Sequence, residues 1–580
     1  MKDFLKMVLA VIVGIVVVSV VSSFLCIAVI GAFAAIGSAA SSTPKSFALL
    51  LDLSTTAIAE QSQEGSPWGG ITNMPAETIG LWDAVQAINT AAEDPAVKYL
   101  YIKSDGNVTS IASLYEVRQA LEKFRAGGKA IVAYTDSPST GSYYISSVAD
   151  KIYMSPHPGA TSTFVGVGSQ MFFLKDLLDK LGVNVQLIRH GKYKSAGETF
   201  IRNSPSEENR EQYQVMVNSM WNVMAAEICE SRGISPEALN AALDQLKLCT
   251  PQDFLEQGLV DELLTRDQMQ DKLAALAVAD RYKDVKWMTL SDYSTAKVLP
   301  SKVKNKIAVI YADGEIIDGK DKKDVAGDRF ASVIQGIRED ESVKAVVLRV
   351  NSPGGAVLAA EKIKHELDLL KQQKPLIASY GDYAASGGYW ISAAADKIFS
   401  DPVTLTGSIG VFGMIPDLSN TLKDVAHVNA VSITSNKHGD MFSMMRPFDQ
   451  AEHEFMQTQI EGIYTRFTNL VSEGRGLTVD AVDEVGQGRV WTGADAIDIK
   501  LVDEIGTLED AVHYAAVAAG DADLSNWNVK AYPKPQTQME MILEMLGSGT
   551  ASEEEALLKL AKDFTKPQVV ARLPYNIVIR

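Results

Sequence analysis

The sequence predicts an α/β protein made of two tandem copies of one domain, preceded by a single transmembrane helix. Three observations support this prediction. A segment that begins at Tyr134 recurs in modified form at Tyr380. Short runs of β-branched residues alternate with longer amphipathic stretches, which is the pattern of repeated strand and helix units. The chain also begins with a long apolar stretch that contains no charged residue.

The N-terminal apolar stretch is long enough to cross a bilayer. No charged residue occurs from Met7 to Pro44, and a helix of ~20 apolar residues spans the hydrocarbon core. Two lysines precede the stretch, so the positive-inside tendency keeps the N-terminus in the cytoplasm and places the remainder on the other side. A cleavable secretory signal is the alternative, but its apolar region has only ~7–15 residues. We therefore predict an uncleaved anchor within residues 1–45, with residues 7–38 in the lipid bilayer.

The duplication extends along most of the chain. YTDSPSTGSYYISSVADKIYMSP, from Tyr134, matches YGDYAASGGYWISAAADKIFSDP, which begins 246 residues later at Tyr380. GLVDE from Gly258 and KLVDE from Lys500 recur in the same order, as expected for a duplicated unit. A polar segment around Pro300 separates the copies. The predicted segments are the anchor (1–45), a first repeat (46–300), a second repeat (301–520) and a C-terminal tail (521–580).

Composition excludes several classes of protein. The chain of 580 residues is too long for one hydrophobic core. Its net charge of −18 argues against a nucleic-acid binder, because such proteins need basic surfaces to displace counterions from phosphate. Of three cysteines, Cys26 lies in the apolar stretch, which leaves only Cys229 and Cys249 to pair, and we expect a fold without disulfides. There is no Walker loop and no cluster of Cys and His ligands, so we expect no metal and no cofactor.

A serine follows a predicted strand in the second repeat. In ASGGYW, Ser386 stands at a strand-to-helix turn, and the glycines that follow, beginning with Gly387, leave backbone N–H groups open to an oxyanion. A second turn, NSPGG, contains Gly354 and Gly355 and could supply further donors. Each motif taken alone is also a common tight turn. The first repeat has Thr140 at the position of Ser386, so the two copies have diverged at this turn.

A serine nucleophile needs a base, which is either a histidine supported by a carboxylate or a neutral lysine. None of the seven histidines lies in a motif that matches a known hydrolase arrangement. The first repeat offers Lys194, which aligns with Gly439 of the second repeat, so each repeat lacks the group that the other has. Most lysines lie on the surface. Lys194 can act as a base only if burial lowers its pKa from ~10.4 by several units.

Four motifs together resemble those of the signal peptide peptidase A family in its long, two-repeat form. They are YKSA with Lys194, NSPGG with Gly354 and Gly355, ASGGYW with Ser386, and TGSIG with Ser408. The resemblance covers about residues 47–520 and the anchor. It implies a crotonase-like fold, shared with the Clp protease, in each repeat.

The resemblance also implies a membrane-anchored serine endopeptidase. Ser386 would attack the peptide carbonyl, and Lys194 would take its proton and later give it to the leaving amine. Ser408 would orient the lysine, and Gly387 with Gly354 or Gly355 would hold the oxyanion. The substrates would be cleaved signal peptides and other apolar or unfolded peptides. The protein would be a homotetramer with a single-pass anchor in the bacterial inner membrane and its catalytic domains on the periplasmic side.

Two alternative functions belong to other classes. An acyl-CoA enzyme of the same fold would use a similar turn to hold a thioester oxyanion. Such an enzyme needs cytosolic CoA, whereas the predicted anchor places the domains outside the cytoplasm. A non-catalytic membrane scaffold would keep the two repeats only as an assembly platform. Turnover of peptides distinguishes all three.

Overall fold

The computed structural model describes residues 43–61, 77–107, 109–299, 301–322, 324–534 and 568–572. The chain divides into two compact units, Met1–Lys45 and Ser46–Arg580. The predicted transmembrane segment, residues 7–38, lies outside the described residues. No helix within the described ranges is long and apolar enough to cross a membrane.

Strands and helices alternate along the larger unit. The strands are β1 (Phe47–Asp52), β2 (Thr56–Ala59), β3 (Glu77–Gly80), β4 (Val97–Lys103), β5 (Ala130–Thr135), β6 (Lys151–Met154), β7 (Asn184–His190), β8 (Glu262–Leu263), β9 (Trp287–Thr289), β10 (Lys306–Asp313), β11 (Ile316–Ile317), β12 (Val325–Ala326), β13 (Val343–Ser352), β14 (Gly354–Ala356), β15 (Leu376–Ala385), β16 (Lys397–Ser400), β17 (Leu405–Gly407), β18 (Val411–Asp417), β19 (Val490–Thr492), β20 (Glu504–Ile505), β21 (Asn528–Tyr532) and β22 (Gln568–Arg572). The α-helices are α1 (Leu81–Glu93), α2 (Ile111–Ala126), α3 (Thr140–Ser146), α4 (Lys175–Lys180), α5 (Glu198–Ile201), α6 (Glu207–Arg232), α7 (Pro236–Asp244), α8 (Pro251–Glu256), α9 (Arg266–Leu276), α10 (Leu290–Lys297), α11 (Gly327–Glu339), α12 (Val357–Lys371), α13 (Gly387–Ser392), α14 (Gln450–Arg475), α15 (Val479–Val485), α16 (Gly493–Ala496) and α17 (Leu508–Ala518).

The first repeat contains a parallel sheet with the strand order β8-β6-β5-β4-β1-β9. Its strands are short apolar runs buried between layers of helices, as parallel sheets require. Helix α1 presents one apolar face to this sheet, since its buried residues recur at helical spacing. Residues as late as Thr289 in β9 pair with β1, so the first repeat closes its sheet with its own C-terminal segment.

The second repeat repeats this topology. Its main sheet contains the parallel order β20-β16-β15-β13-β10-β21, which matches β8-β6-β5-β4-β1-β9 strand for strand. Two further strands extend the sheet at the C-terminal end of β15. There β17 pairs with β15 in parallel, and β19 pairs with β17 antiparallel. The predicted α/β alternation and duplication are therefore confirmed. The strand β21 adds residues of the C-terminal tail to the sheet.

A third sheet joins the two repeats. Its order is β12-β11-β14-β22-β18-β7, and only β7 comes from the first repeat. The strands β7 and β18 pair antiparallel from Val411 opposite His190 to Asp417 opposite Asn184. Since the chain leaves β7 four residues before Lys194, this pairing directs the first repeat's lysine loop into the second repeat.

A buried ion cluster also joins the repeats. Arg349 on β13 is 1% exposed, and its guanidinium contacts two carboxylates of the first repeat. Its Nε lies 2.8 Å from Glu60 Oε2, and its Nη2 lies 2.6 Å from Glu116 Oε1. A buried charge is costly unless it is paired. Separation of the repeats would take Arg349 away from both carboxylates, so these ion pairs favour the docked arrangement.

Apolar packing completes this interface, and the part of the chain that the structure describes forms no disulfide there. One buried cluster combines first-repeat side chains such as Tyr115 and Met216 with second-repeat side chains such as Leu405. Cys229 is buried, Cys249 is exposed, and both are free thiols.

Candidate active site

Ser386 occupies a strained turn between β15 and α13. Its φ is +56° and its ψ is −113°, a conformation that costs a non-glycine residue energy and persists only where the surroundings impose it. The Ser386 N–H donates to Gly407 O at 2.8 Å, and Trp390 N–H donates back to Ser386 O at 2.8 Å. The first bond attaches the turn to β17, and the second begins helix α13. Together they hold the hydroxyl in one place at the helix start.

Two glycine turns pack directly against each other beside this serine. A Cβ on Gly387 would lie 3.1 Å from Gly354 Cα and 3.1 Å from Gly355 N. A Cβ on Gly355 would lie 1.9 Å from Ile316 O, and its φ is +154°. There is no space for a side chain where the two turns meet, so the groups that line this point are backbone groups. The first N–H groups of α13 have no intrahelical acceptor, so they are available to an anion at this point.

Lys194 reaches the serine from the other repeat. Its Nζ lies 2.8 Å from Ser386 Oγ, 2.9 Å from Ser408 Oγ and 3.1 Å from Ser408 O. Lys194 is 1% exposed, and both serines are fully buried. The structure therefore brings together Lys194, Ser386 and Ser408, which are far apart in the sequence.

The surroundings of Lys194 favour its neutral form. Burial lowers the pKa of its ammonium from 10.5 to about 7, because a charge loses hydration in a low-dielectric interior. The three oxygen atoms that contact Nζ belong to hydroxyl and carbonyl groups, which carry no charge. Near neutral pH a substantial fraction of this lysine is an amine that can accept a proton.

Ser408 is itself held by strand neighbours. Its φ is +50°, and its N–H donates to Arg489 O at 2.7 Å. The preceding residues form β17, whose Gly407 pairs with Ala385 of β15 and Val490 of β19. The Ser386 turn and the Ser408 turn are therefore neighbours in one sheet.

The stem of Lys194 lies between glycines that sequence reasoning missed. A Cβ on Gly488, whose φ is +82°, would lie 2.5 Å from Lys194 Cβ. A Cβ on Gly410 would lie 3.2 Å from Lys194 Cδ. The two glycines are adjacent, since Gly488 N–H donates to Ile409 O at 2.7 Å. These glycines are visible in the sequence as parts of GQGR and TGSIG, but only the fold shows that the segment of Lys194 packs against them.

A buried glutamine, Gln212 on α6, was also missed. It is 1% exposed, and its Nε2 donates to Tyr193 O and to Ser195 Oγ, at 3.1 Å each. Its Oε1 accepts from Val490 N–H on β19 at 3.3 Å. Gln212 therefore ties both neighbours of Lys194 to the sheet that holds Ser408. Nothing in its local sequence distinguishes it from other polar residues of α6.

In the corresponding turn of the first repeat, the hydroxyl groups form hydrogen bonds that stabilise the turn itself. Thr140, aligned with Ser386, donates its hydroxyl to Gly166 O at 2.9 Å. Ser142 and Ser139 form a capping box at the start of α3. Gly439, aligned with Lys194, lies in a loop whose His438 contacts Glu452 at 2.8 Å. The turn at Thr140 therefore lacks the contact between a serine and a lysine that the turn at Ser386 forms.

Comparisons with known proteins give a consistent result. The model of peptidase family S49 matches residues 123–280 and 368–521, once in each repeat. Protease 4 of Haemophilus influenzae is 36% identical over 502 residues, which are 83% of this chain and 80% of that protein. Protease 4 of Salmonella typhi is 35% identical over 528 residues, 88% of this chain and 84% of that protein. The chloroplastic serine protease SPPA of Arabidopsis thaliana is 29% identical over 484 residues, 82% of this chain and 71% of that protein.

Proposed function

The chain belongs to peptidase family S49 and is a serine peptidase, and we propose that Ser386 is its nucleophile and Lys194 its general base. The observation that supports this assignment is the 2.8 Å contact between Lys194 Nζ and Ser386 Oγ. Both groups are buried, and they come from different repeats. The protease relatives favour this function over the acyl-CoA enzyme and the scaffold.

In the proposed mechanism, the neutral amine of Lys194 accepts the Ser386 hydroxyl proton as Oγ forms a bond to the peptide carbonyl carbon. The carbonyl oxygen becomes an anion, and the N–H groups of Gly387 and of Gly354 or Gly355 stabilise it. Lys194 then gives its proton to the leaving amine. A water molecule, deprotonated by the same lysine, hydrolyses the acyl-enzyme and restores the serine. Ser408 accepts from Lys194 Nζ and keeps it aimed at Ser386 through the cycle.

Four variants of the full-length protein test the dyad. Ser386→Ala and Lys194→Met each lower kcat on an apolar fluorogenic peptide by at least ~10³-fold, a typical loss for a member of a catalytic set. Thr140→Ala changes the aligned residue of the first repeat, and Lys192→Met changes an exposed lysine two residues from Lys194. Both controls keep kcat within about threefold of the parent. Wild-type turnover in Ser386→Ala or Lys194→Met would show that the dyad is assigned wrongly.

We also propose that residues 7–38 anchor the protein in the bacterial inner membrane by one pass, with the catalytic repeats on the periplasmic side. The uncharged apolar run and the two lysines before it support this. Alkaline carbonate should leave the parent in the membrane fraction. Ile15→Lys with Val18→Lys should release it, because each charge at mid-bilayer costs ~2.5–3.5 kcal/mol. Protease added to intact spheroplasts should digest the repeats. Resistance to digestion would show that the repeats lie on the cytoplasmic side.

The proposed substrates are cleaved signal peptides and other apolar peptides. The proposed membrane anchor supports this choice of substrate, because cleaved signal peptides are apolar fragments that remain in the membrane. Cleavage of a synthetic signal peptide should exceed that of a polar peptide of equal length in kcat/KM by at least ~10-fold. Equal rates would limit the function to general peptide hydrolysis.

A homotetramer of crotonase-like repeats is the proposed assembly. Large apolar side chains are exposed in both repeats, for example Phe172 (71%) in the first and Ile433 (96%) in the second. Exposed apolar side chains of this size are available for contacts between subunits. Sedimentation of the detergent-solubilised parent should give a tetramer, and Phe172→Glu with Ile433→Glu should give smaller species.

A further inference from the structure

The backbone of Lys194 is held by an arginine of the preceding strand. Arg189 lies opposite Phe412 of β18, so its backbone is fixed within the sheet that joins the repeats. Its Nη1 donates to Lys194 O at 2.8 Å. The same Nη1 lies 3.3 Å from Glu198 Oε1, at the start of α5, so the two side chains form an ion pair. The guanidinium therefore connects the carbonyl group of the proposed base to a carboxylate four residues further along the chain.

Glu198 is fixed by a separate element, helix α6. The glutamate is fully buried, and its Oε2 accepts from Ser206 N–H at 3.0 Å and from Asn209 Nδ2 at 3.1 Å. Ser206 precedes the first turn of α6, where the unpaired N–H groups and the helix dipole favour a negative charge. Because α6 is 26 residues long, the carboxylate is attached to a large element and not only to the lysine loop.

A second path leads from Glu198 back to the same loop. Asn209, which donates to Glu198, also accepts through Oδ1 from Gln212 Nε2 at 3.3 Å. Gln212 in turn contacts Tyr193 and Ser195, the two neighbours of the lysine. One buried carboxylate thus organises the contacts of three consecutive residues of the loop.

Charged groups surround the lysine loop, and most of them form pairs of opposite sign. Such pairs produce little net field at a distance, because the potentials of the two charges cancel. This agrees with the lowered pKa of Lys194, whose cause is burial. The pairs are Arg189 with Glu198, Arg489 with Glu211 and, when His190 is protonated, His190 with Glu461, and an exposed cation, Lys192, lies with Nζ over the ring of Tyr193.

We propose that Glu198 is a positioning residue of the peptidase, which acts through Arg189 and the carbonyl group of Lys194. This inference rests on the proposed function of the dyad. The ion pair fixes the loop so that Lys194 Nζ stays within hydrogen-bond reach of Ser386 Oγ, and its two charges cancel at the amine. Loss of either charge has two effects: the loop gains freedom, and an unbalanced charge remains beside the base.

The second repeat contains a matched ion pair that holds no proposed catalytic group. Glu452, at the start of α14, contacts Arg446 Nη2 at 2.6 Å. Its side chain is 1% exposed, as is that of Glu198, and the two arginine side chains are 32% and 30% exposed. The loop beside this pair has Gly439 where the first repeat has Lys194. Glu452→Gln therefore removes a buried carboxylate of the same type away from the dyad.

Steady-state kinetics of the full-length protein on an apolar fluorogenic peptide provide the first test. Glu198→Gln should lower kcat by at least ~10-fold with KM within about threefold of the parent, because the change acts on the position of the base. Glu452→Gln should keep kcat within about threefold of the parent. Equal losses of kcat in the two variants would overturn the proposal, since they would report a general loss of structure.

The pH profile of kcat/KM provides a readout that looser packing would not change. Glu198→Gln leaves Arg189 as an unbalanced cation, which disfavours the ammonium form of Lys194, so the midpoint should move to lower pH by roughly half a unit. Arg189→Met leaves Glu198 as an unbalanced anion, so the midpoint should move to higher pH by a similar amount. The double variant should return to the parental midpoint. Shifts in the same direction for both single variants, or no shift in either, would contradict the proposal.

A stability measurement separates this inference from the proposed function. Lys194→Met is combined with each single variant, and unfolding in urea is followed as a function of pH. The pH above which Lys194→Met begins to lose its stability advantage reports the pKa of the native lysine without any turnover. That pH should be lower in the Glu198→Gln background and higher in the Arg189→Met background, each by roughly half a unit.

The outcomes of these measurements are distinct. If the two opposite shifts appear in unfolding but Ser386→Ala and Lys194→Met still hydrolyse peptides, the dyad assignment fails and the control of Lys194 by the ion pair stands. If hydrolysis depends on both dyad residues but neither shift appears, the inference about Glu198 fails alone. If Glu198→Gln does not fold, Arg189→Met decides the question, because its side chain is partly exposed.

Discussion

Lys194 differs from an ordinary surface lysine in what surrounds its side chain. The ammonium is buried, its partners are uncharged oxygens, and its stem passes between two glycines. Desolvation is the physical cause of its lowered pKa.

Activity should rise with pH through the pKa of Lys194. The proposed base, Lys194, can accept a proton only when it is neutral, so kcat/KM should fall about tenfold per pH unit well below its pKa of about 7 and level off above it. Initial rates from pH 5 to 10 measure this profile. Lys194→Arg should be inactive throughout, because a guanidinium stays protonated. A midpoint above 9 would mean that the base is not a buried lysine.

Replacing Lys194 should stabilise the protein while it abolishes activity. Between pH 7 and 10 the unfolded chain keeps the lysine proton that the native state has lost, so the free energy of unfolding of the parent rises with pH over this range. Lys194→Met has no such cost. At pH 6 its free energy of unfolding in urea should exceed that of the parent by on the order of 3 kcal/mol, and near pH 10 the difference should vanish.

The control for this stability measurement is Lys192→Met, which changes an exposed lysine. Its difference from the parent should stay within about 0.5 kcal/mol and should not vary with pH. A gain for Lys194→Met that is equal at pH 6 and pH 10 would contradict the desolvation argument, since it would then arise from packing alone.

At the scale of the element, the turn before β19 fixes the approach of the lysine loop. Gly488 pairs with Ile409 and lies against the Lys194 backbone, and Tyr193 N–H donates to Gln487 O at 3.0 Å. The loop after β7 and this turn are therefore in direct backbone contact. Gln212 secures the same loop from α6.

Gly488→Ala should lower kcat by at least ~100-fold with a smaller change in KM. The added methyl would lie 2.5 Å from Lys194 Cβ, so the loop has to move and Nζ leaves Ser386. Gly233→Ala is the matched control, because Gly233 has a φ of +65° but open space around its Cβ position. The control shares the backbone strain of ~1 kcal/mol and should keep its kcat. Equal kcat values for the two variants would contradict the packing role.

At the scale of the whole molecule, one active site needs both repeats docked. Arg349 lies between Glu60 and Glu116 at the centre of that contact. Glu116 also accepts from Leu508 N–H at the start of α17, at 2.8 Å. The cluster therefore connects β13 and helix α17 of the second repeat with the first repeat.

Arg349→Ala should destabilise the protein by ~3–5 kcal/mol, because it leaves two carboxylates buried without their partner. Arg466→Ala removes an exposed ion pair with Glu361 and should cost less than ~1 kcal/mol. Thermal unfolding followed by circular dichroism measures both. Combining Arg349→Met with Glu60→Gln and Glu116→Gln should restore much of the loss. A single Arg349→Ala that unfolds like the parent would show that apolar packing alone joins the repeats.

Much of this protein was determined by its sequence alone. Ordered self-similarity established the duplication, and apolar runs placed strands such as β13 and helices such as α12, because these are local patterns. The complementary loss of a serine in one copy and a lysine in the other identified Ser386 and Lys194 as candidates. Each of these conclusions depends on residues that are near one another in the chain, or on a comparison between the copies.

Only the tertiary structure decided how these groups work. Lys194 and Ser386 meet because β7 crosses to β18, and the pKa of Lys194 falls because both repeats bury it. Gln212 has no distinctive local signal, and the glycines of GQGR do not show that Gly488 contacts Lys194, since both roles come from contacts with distant segments. Burial and cross-chain contact are properties of the folded chain, so no local pattern in the sequence contains them.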